Sequence, residues 1–132
     1  MREAFRVLEP GGRIGLSDYT AKQLPQTLSE RSLAGLVRRL WHVPAVNVVT
    51  ADGLARTLRA CGFADVRVEG VADDVIPGYY REGRKPENVR AMDEIRGWLV
   101  SRASLWIDHV TYRLYQRGLL DYVFAFGAKP SA

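Results

Sequence analysis

Residues 119–128 constrain the fold more than any other stretch. Leu120, Tyr122, Val123, Phe124, Ala125 and Phe126 are nearly continuous apolar residues following Gly118. Such a run marks a strand covered on both faces in the interior of a sheet. Two other segments read as strands. Residues 64–71 alternate, with Val66 and Val68 on one side and Arg67 and Glu69 on the other, which suits a sheet edge. Residues 13–18, Arg-Ile-Gly-Leu-Ser-Asp, are intermediate in character. A compact solution places the last strand between the other two, in the spatial order first, third, second. The expected class is α/β, about three strands with helices packed on the faces.

The connecting segments read as helices. Residues 2–8 carry Ala4, Phe5 and Leu8 on one face, and Pro10-Gly11-Gly12 stops that helix and turns the chain. Thr27 and Glu30 form a capping-box pattern ahead of a helix with the apolar face Leu33, Leu36, Val37, Leu40 and Trp41. Thr50 or Asp52 caps the next helix, which turns Leu54, Leu58 and Cys61 inward and ends at Gly62, with Phe63 as the accompanying contact. Residues 73–85, rich in Gly, Pro and charge, read as a loop. Residues 87–116 read as helix, with Met92, Ile95, Leu99, Trp106 and Val110 on one stripe and Trp98, Trp106 and His109 as packing residues. A straight rod of that length would reach roughly 40 Å, too long for this domain, so a break is expected near Gly97 or Ser101.

Composition narrows the function. The 132 residues, 47% hydrophobic and 26% charged, suit one globular domain over 1–132 with a modest core. The net charge of +4 comes from scattered arginines rather than a basic stripe, which argues against nucleic acid as the partner. The single cysteine excludes an intramolecular disulfide and suits a reducing compartment. No apolar run approaches the roughly 20 residues that span a bilayer, and no secretory leader follows Met1, so a cytoplasmic location and no membrane partner are expected. Two distant histidines and one cysteine make no metal constellation.

The stretch Phe5-Arg6-Val7-Leu8-Glu9-Pro10-Gly11-Gly12-Arg13-Ile14-Gly15-Leu16-Ser17-Asp18 resembles class I S-adenosylmethionine-dependent methyltransferases, in the region from their fourth helix through their fifth strand. The resemblance is strongest to enzymes that modify sugars, polyketides, sterols or quinones. Residues 54–66, with Leu54, Leu58, Cys61-Gly62-Phe63 and Val66, are similar to the helix and sixth strand of that family, and residues 122–130 to its seventh. In that fold the seventh strand runs antiparallel between the fifth and sixth, the same order the apolar pattern gives. Nothing matches the family's cofactor half, where a glycine-rich loop joins a strand to a helix and an acid meets the ribose. The resemblance therefore implies a C-terminal portion: a truncated product, a miscalled start or one half of a split enzyme. S-adenosylmethionine would be the cofactor of the complete enzyme, with none held tightly by this chain alone.

Site residues follow from the same resemblance. Ligands of open α/β sheets lie beyond the carboxyl ends of the strands. There Asp18 would orient or deprotonate the hydroxyl of a small-molecule acceptor, or would instead cap its own turn. His42, after Trp41, is a second candidate base or a helix-end histidine. Tyr19 would border the acceptor, and Trp41 would either do so or serve as a core residue of its helix; Tyr79 and Tyr80 in the 73–85 segment would pack on a hydrophobic acceptor or simply cover the sheet. The first strand lacks the neighbour it has in the complete fold. Its exposed edge, and an apolar face beside it, would receive an N-terminal half or a second copy. The expected function is the acceptor-binding part of a methyltransferase, with transfer to oxygen favoured by Asp18. The alternatives are a non-catalytic α/β oligomerisation or partner-subunit module derived from that fold, and an unrelated ligand-binding domain.

Overall fold

The computed structural model describes residues 1–131. In chain order the elements are α1 (Arg2–Val7), β1 (Arg13–Ala21), α2 (Leu28–Leu40), a 3₁₀ turn (Ala45–Asn47), α3 (Ala51–Ala60), β2 (Ala64–Gly70), α4 (Ala72–Glu82), α5 (Pro86–Arg96), α6 (Trp98–Gln116) and β3 (Leu120–Ala128). The strands form one sheet in the order β1–β3–β2, with β3 antiparallel to both neighbours, as expected. β1 runs three residues beyond its expected end and pairs along its whole length, from Arg13 opposite Ala128 to Ala21 opposite Leu120.

One face of the sheet is closed. Leu54 and Leu58 of α3, with Phe63, pack on Val123 and Ala125 of β3, and Ile14, Leu16, Val66 and Val68 flank them. Burying a side chain such as Leu58 contributes about 1.5–3 kcal/mol. Gly62 follows α3 at φ 101°, and a Cβ there would come within 2.8 Å of the Phe5 ring. The missing side chain of Gly62 thus makes the seat for Phe5, which also meets Phe63 edge-on at 5.0 Å.

The opposite face corrects one expectation. Val123, Ala125 and Gly127 are buried, but Phe124 and Phe126 between them are 40% and 38% exposed. β3 is interior by position and covered fully on one side only, because α1 and α3 both pack on the Val123 side. An apolar face of the kind expected beside β1 is therefore present.

Two further corrections concern residues 72–116. The expected loop at 73–85 is mostly the helix α4. Pro77 removes one helical hydrogen bond, yet Ala72 and Ile76 are buried as α4 packs against α6 and β3, and that burial overrides the local signals. The break expected near Gly97 or Ser101 lies at Gly97, φ 81° and ψ 148°. α5 folds back on α6, braced by Arg102 and Asp93 at 2.9 Å. Reversal at Gly97 resets the helical phase, so the single stripe fails: Ile95, Leu99, Trp106 and Trp98 are exposed, His109 is too, and α6 buries Ser101, Val110 and Leu114. A second cluster joins Val110 and Leu114 to Val37 of α2 and to Leu119. No described helix is long and apolar enough to cross a membrane.

Candidate functional site

The carboxyl end of β1 opens into a cleft of about 600 Å³, walled by α2, the 43–49 segment and the junction of α6 with β3. Its walls are built by long-range ties. The Ala21 N–H donates away from the sheet to the Val49 carbonyl at 2.9 Å, while Lys22 N–H donates to Leu119 of the β3 side at 3.0 Å. α2 is launched by the capping box: Thr27 Oγ1 accepts from the Glu30 N–H at 3.2 Å, and Glu30 Oε2 accepts from the Thr27 N–H at 3.0 Å. Backbone donors of Thr27 and Gln26 hold the Glu30 carboxyl below its ordinary value. At the far end of α2, the Trp41 indole N–H donates to Thr111 Oγ1 at 2.9 Å, bracing α2 against α6.

Three of the six expected site residues line this cleft: Asp18, Tyr19 and Trp41. Asp18 Oδ1 accepts from the Tyr19 N–H at 2.8 Å. That amide lies on the outer edge of β1, two residues before the outward-facing Ala21 N–H, so Asp18 answers one orphan donor and keeps a second oxygen for other use. Tyr19 meets Tyr122 edge-on at 5.0 Å. Burial, and then Tyr79, Tyr122 and Asp108 nearby, push its phenol above the ordinary range.

The other three lie elsewhere. His42 follows α2 in a left-handed conformation, φ 52°, and its N–H donates to the Arg39 carbonyl, so it forms part of the helix stop outside the cleft lining. Tyr79 and Tyr80 stand on α4. Tyr80 stacks on Tyr112 of α6 with ring centroids 4.0 Å apart, lies 3.6 Å beneath the Arg84 guanidinium and shares a 2.7 Å hydrogen bond with His109 Nδ1. These contacts tie α4 to α6. Tyr79 is exposed and reaches the neighbourhood of Tyr19. Asp108, half-buried on α6, is held above the usual carboxylate range by burial, with Arg84 opposing.

One cleft residue carries no sequence signal. Thr20 is 3% exposed and its hydroxyl has no hydrogen-bond partner. A buried unpartnered hydroxyl costs about 1–3 kcal/mol. Only convergence of distant segments around the end of β1 buries it, and no local period encodes that. The charged residues in the lining are Asp18, Arg31 and Arg38, and most of the remaining wall is apolar.

The residues present do not build a nucleotide cradle. Among the described residues, β1 leads to α2 without a glycine, and β2 leads to α4 through Gly70, where a Cβ would already meet the Asp121 carboxylate at 2.9 Å. The space a close-approach glycine would offer a ligand is filled by the chain itself. No group of three or more His, Cys, Asp or Glu side chains gathers among the described residues.

No family model matches the chain. Solved structures do. A phosphoethanolamine N-methyltransferase 2 of Haemonchus contortus, solved with phosphomonomethylethanolamine and S-adenosylhomocysteine, superposes with a TM-score of 0.74 at 12% identity over 98% of this chain and 29% of its own. The cyclopropane synthase MmaA2 of Mycobacterium tuberculosis gives 0.68 at 18% identity, over 97% of this chain and 48% of its own. The [4+2]-cyclase SpnF gives 0.58 at 19%, over 99% and 43%. The chain thus spans half or less of the length of these structures, whose named activities differ although the fold is shared. With its β1–β3–β2 sheet and flanking helices, the chain carries the fold of the C-terminal part of class I S-adenosylmethionine-dependent methyltransferases.

Proposed function

We propose that this chain is the acceptor-binding part of an S-adenosylmethionine-dependent methyltransferase that modifies an oxygen of a small molecule. The carrying observation is the cleft at the carboxyl end of β1, where Asp18, Tyr19 and Trp41 converge on a fold shared with methyltransferases. In such sheets ligands settle at this end of the strands. Transfer to a hydroxyl needs the acceptor fixed in direction and relieved of its proton. Asp18 has a free carboxylate oxygen for that proton, and Tyr19 and Trp41 supply flat walls that align the acceptor. The cofactor side belongs to a separate stretch of polypeptide, seated against the outer edge of β1 and the face that carries Phe124 and Phe126.

The test is transfer of a labelled methyl group to small hydroxylated compounds by the chain together with any partner that co-purifies with it. A labelled ether whose formation falls by roughly a hundredfold or more in Asp18→Ala supports the reading. Label on nitrogen or carbon removes the oxygen assignment, and unchanged turnover in Asp18→Ala removes that residue from the mechanism.

A second reading has its own observation. Among the described residues no strand lies beside the outer edge of β1 between Arg13 and Tyr19, and exposed phenylalanines adjoin it. A non-catalytic partner or oligomer module would use the same surfaces. A stable complex that transfers no methyl group favours that module.

A further inference from the structure

We infer that the cleft selects an acceptor with an apolar body ending in an anionic group, a carboxylate or a phosphate monoester. The inference rests on the acceptor-site reading above and adds the chemistry of the acceptor.

The side of α2 turned to the cleft presents Arg31, Ala34, Gly35 and Arg38, at the i, i+3, i+4, i+7 spacing of one helical face. The two middle residues are small. A Cβ built on Gly35 meets nothing within 4 Å, so the room in the cleft is room that this helix leaves open. Leu114, Leu119 and Val49 also line it and give an apolar body surfaces to lie on. The ends of the face are cationic, ~10 Å apart along the helix. Arg38 uses one guanidinium donor on the Val43 carbonyl at 3.2 Å. Among the described residues Arg31 has neither a side-chain hydrogen bond nor an ion pair, and no carboxylate pairs with Arg38. Asp18, the one acid in the lining, already accepts from the Tyr19 amide. A guanidinium fork without a carboxylate fits an incoming carboxylate or phosphate. Thr20, whose buried hydroxyl has no hydrogen-bond partner among the described residues, belongs to the same lining.

The test uses four ten-carbon probes below their micelle concentrations: decanoate, decyl phosphate, decanol and decyltrimethylammonium. Binding is read by calorimetry without cofactor. At least one anionic probe binds about tenfold or more tighter than decanol, and the cation binds worst. The tighter of decanoate and decyl phosphate identifies the head group. The double variant Arg31→Gln, Arg38→Gln erases the anionic preference, so that decanoate and decyl phosphate bind no tighter than decanol. Gly35→Leu, which adds a good helix former while filling the space, weakens every probe in a protein whose circular dichroism and melting stay native-like. Equal or better binding of decanol or the cation overturns the inference, as does full decanoate binding by a natively folded Gly35→Leu. Anion preference without methyl transfer in any reconstituted complex sinks the acceptor reading alone, whereas methyl transfer without anion preference sinks this inference alone.

Discussion

Leu58 and Leu114 are both buried leucines on helices that reach β3, and they sit in different kinds of interior. Leu58 is 0% exposed between α3 and the closed face of the sheet. Leu114 is 6% exposed in the smaller cluster beside the cleft. Two glycines show the same contrast. At Gly62 the absent side chain is replaced by the Phe5 ring, and at Gly35 it is replaced by nothing. The first region fills its volume from its own residues, and the second holds volume open with small residues on α2. Packing in one place and vacancy in the other are both encoded, and the vacancy is the cleft that Asp18, Tyr19 and Trp41 line.

That contrast can be broken by measurement. Leu58→Ala should lose about 3–5 kcal/mol in denaturant unfolding, and Leu114→Ala only about 2, because the cleft beside it already limits what its side chain contacts. Equal losses would erase the distinction. Gly62→Ala should lose about 1–3 kcal/mol from its positive φ and the collision with Phe5, whereas Gly35→Ala should gain about 0.5–1 kcal/mol as an open helical glycine. Matching signs for these two would mean that the space at Gly35 is not free. Thr27→Ala should lose about 1 kcal/mol by removing the cap of α2 and should loosen the cleft wall, visible as weaker probe binding. The smallest effect concerns Asp108. Its carboxyl titrates above its ordinary value of 3.8 because burial disfavours the charge, so its neutral form stabilises the fold below that value. Stability is then lost as pH rises through the raised value. Asp108→Asn should therefore unfold later than the parent at neutral pH and show no advantage below about pH 3.5. An advantage that persists undiminished in acid would exclude burial as the cause.

The sheet was legible in the sequence because its signals are local. The apolar run of β3, the alternation Val66-Arg67-Val68-Glu69, and the stops at Pro10-Gly11-Gly12 and Gly62 each act within a few residues, and together they permit few orders. Asp18, Tyr19 and Trp41 came instead from the family resemblance, and all three line the cleft, with Asp18 and Tyr19 inside β1 rather than at its end. Thr20 was not legible, because its burial needs residues near 49 and 119 to arrive from far along the chain. α4 was hidden by Pro77-Gly78, whose local preference yields to the burial of Ala72 and Ile76. The stripe on residues 92–110 misled for a third reason: periodicity counts through a glycine as though the axis continued, and at Gly97 it reverses.

The outer edge of β1 gives this strand two clocks. Amides of even-numbered residues such as Leu16 and Asp18 point into the ladder with β3, while those of Gly15 and Ser17 point away from it, in step with Ala21. In deuterated solvent the isolated chain should therefore exchange its odd amides quickly and its even ones slowly. Any strand that docks alongside will slow the odd set alone, so parity of protection along six residues reports whether, and on which side, the molecule has found its neighbour.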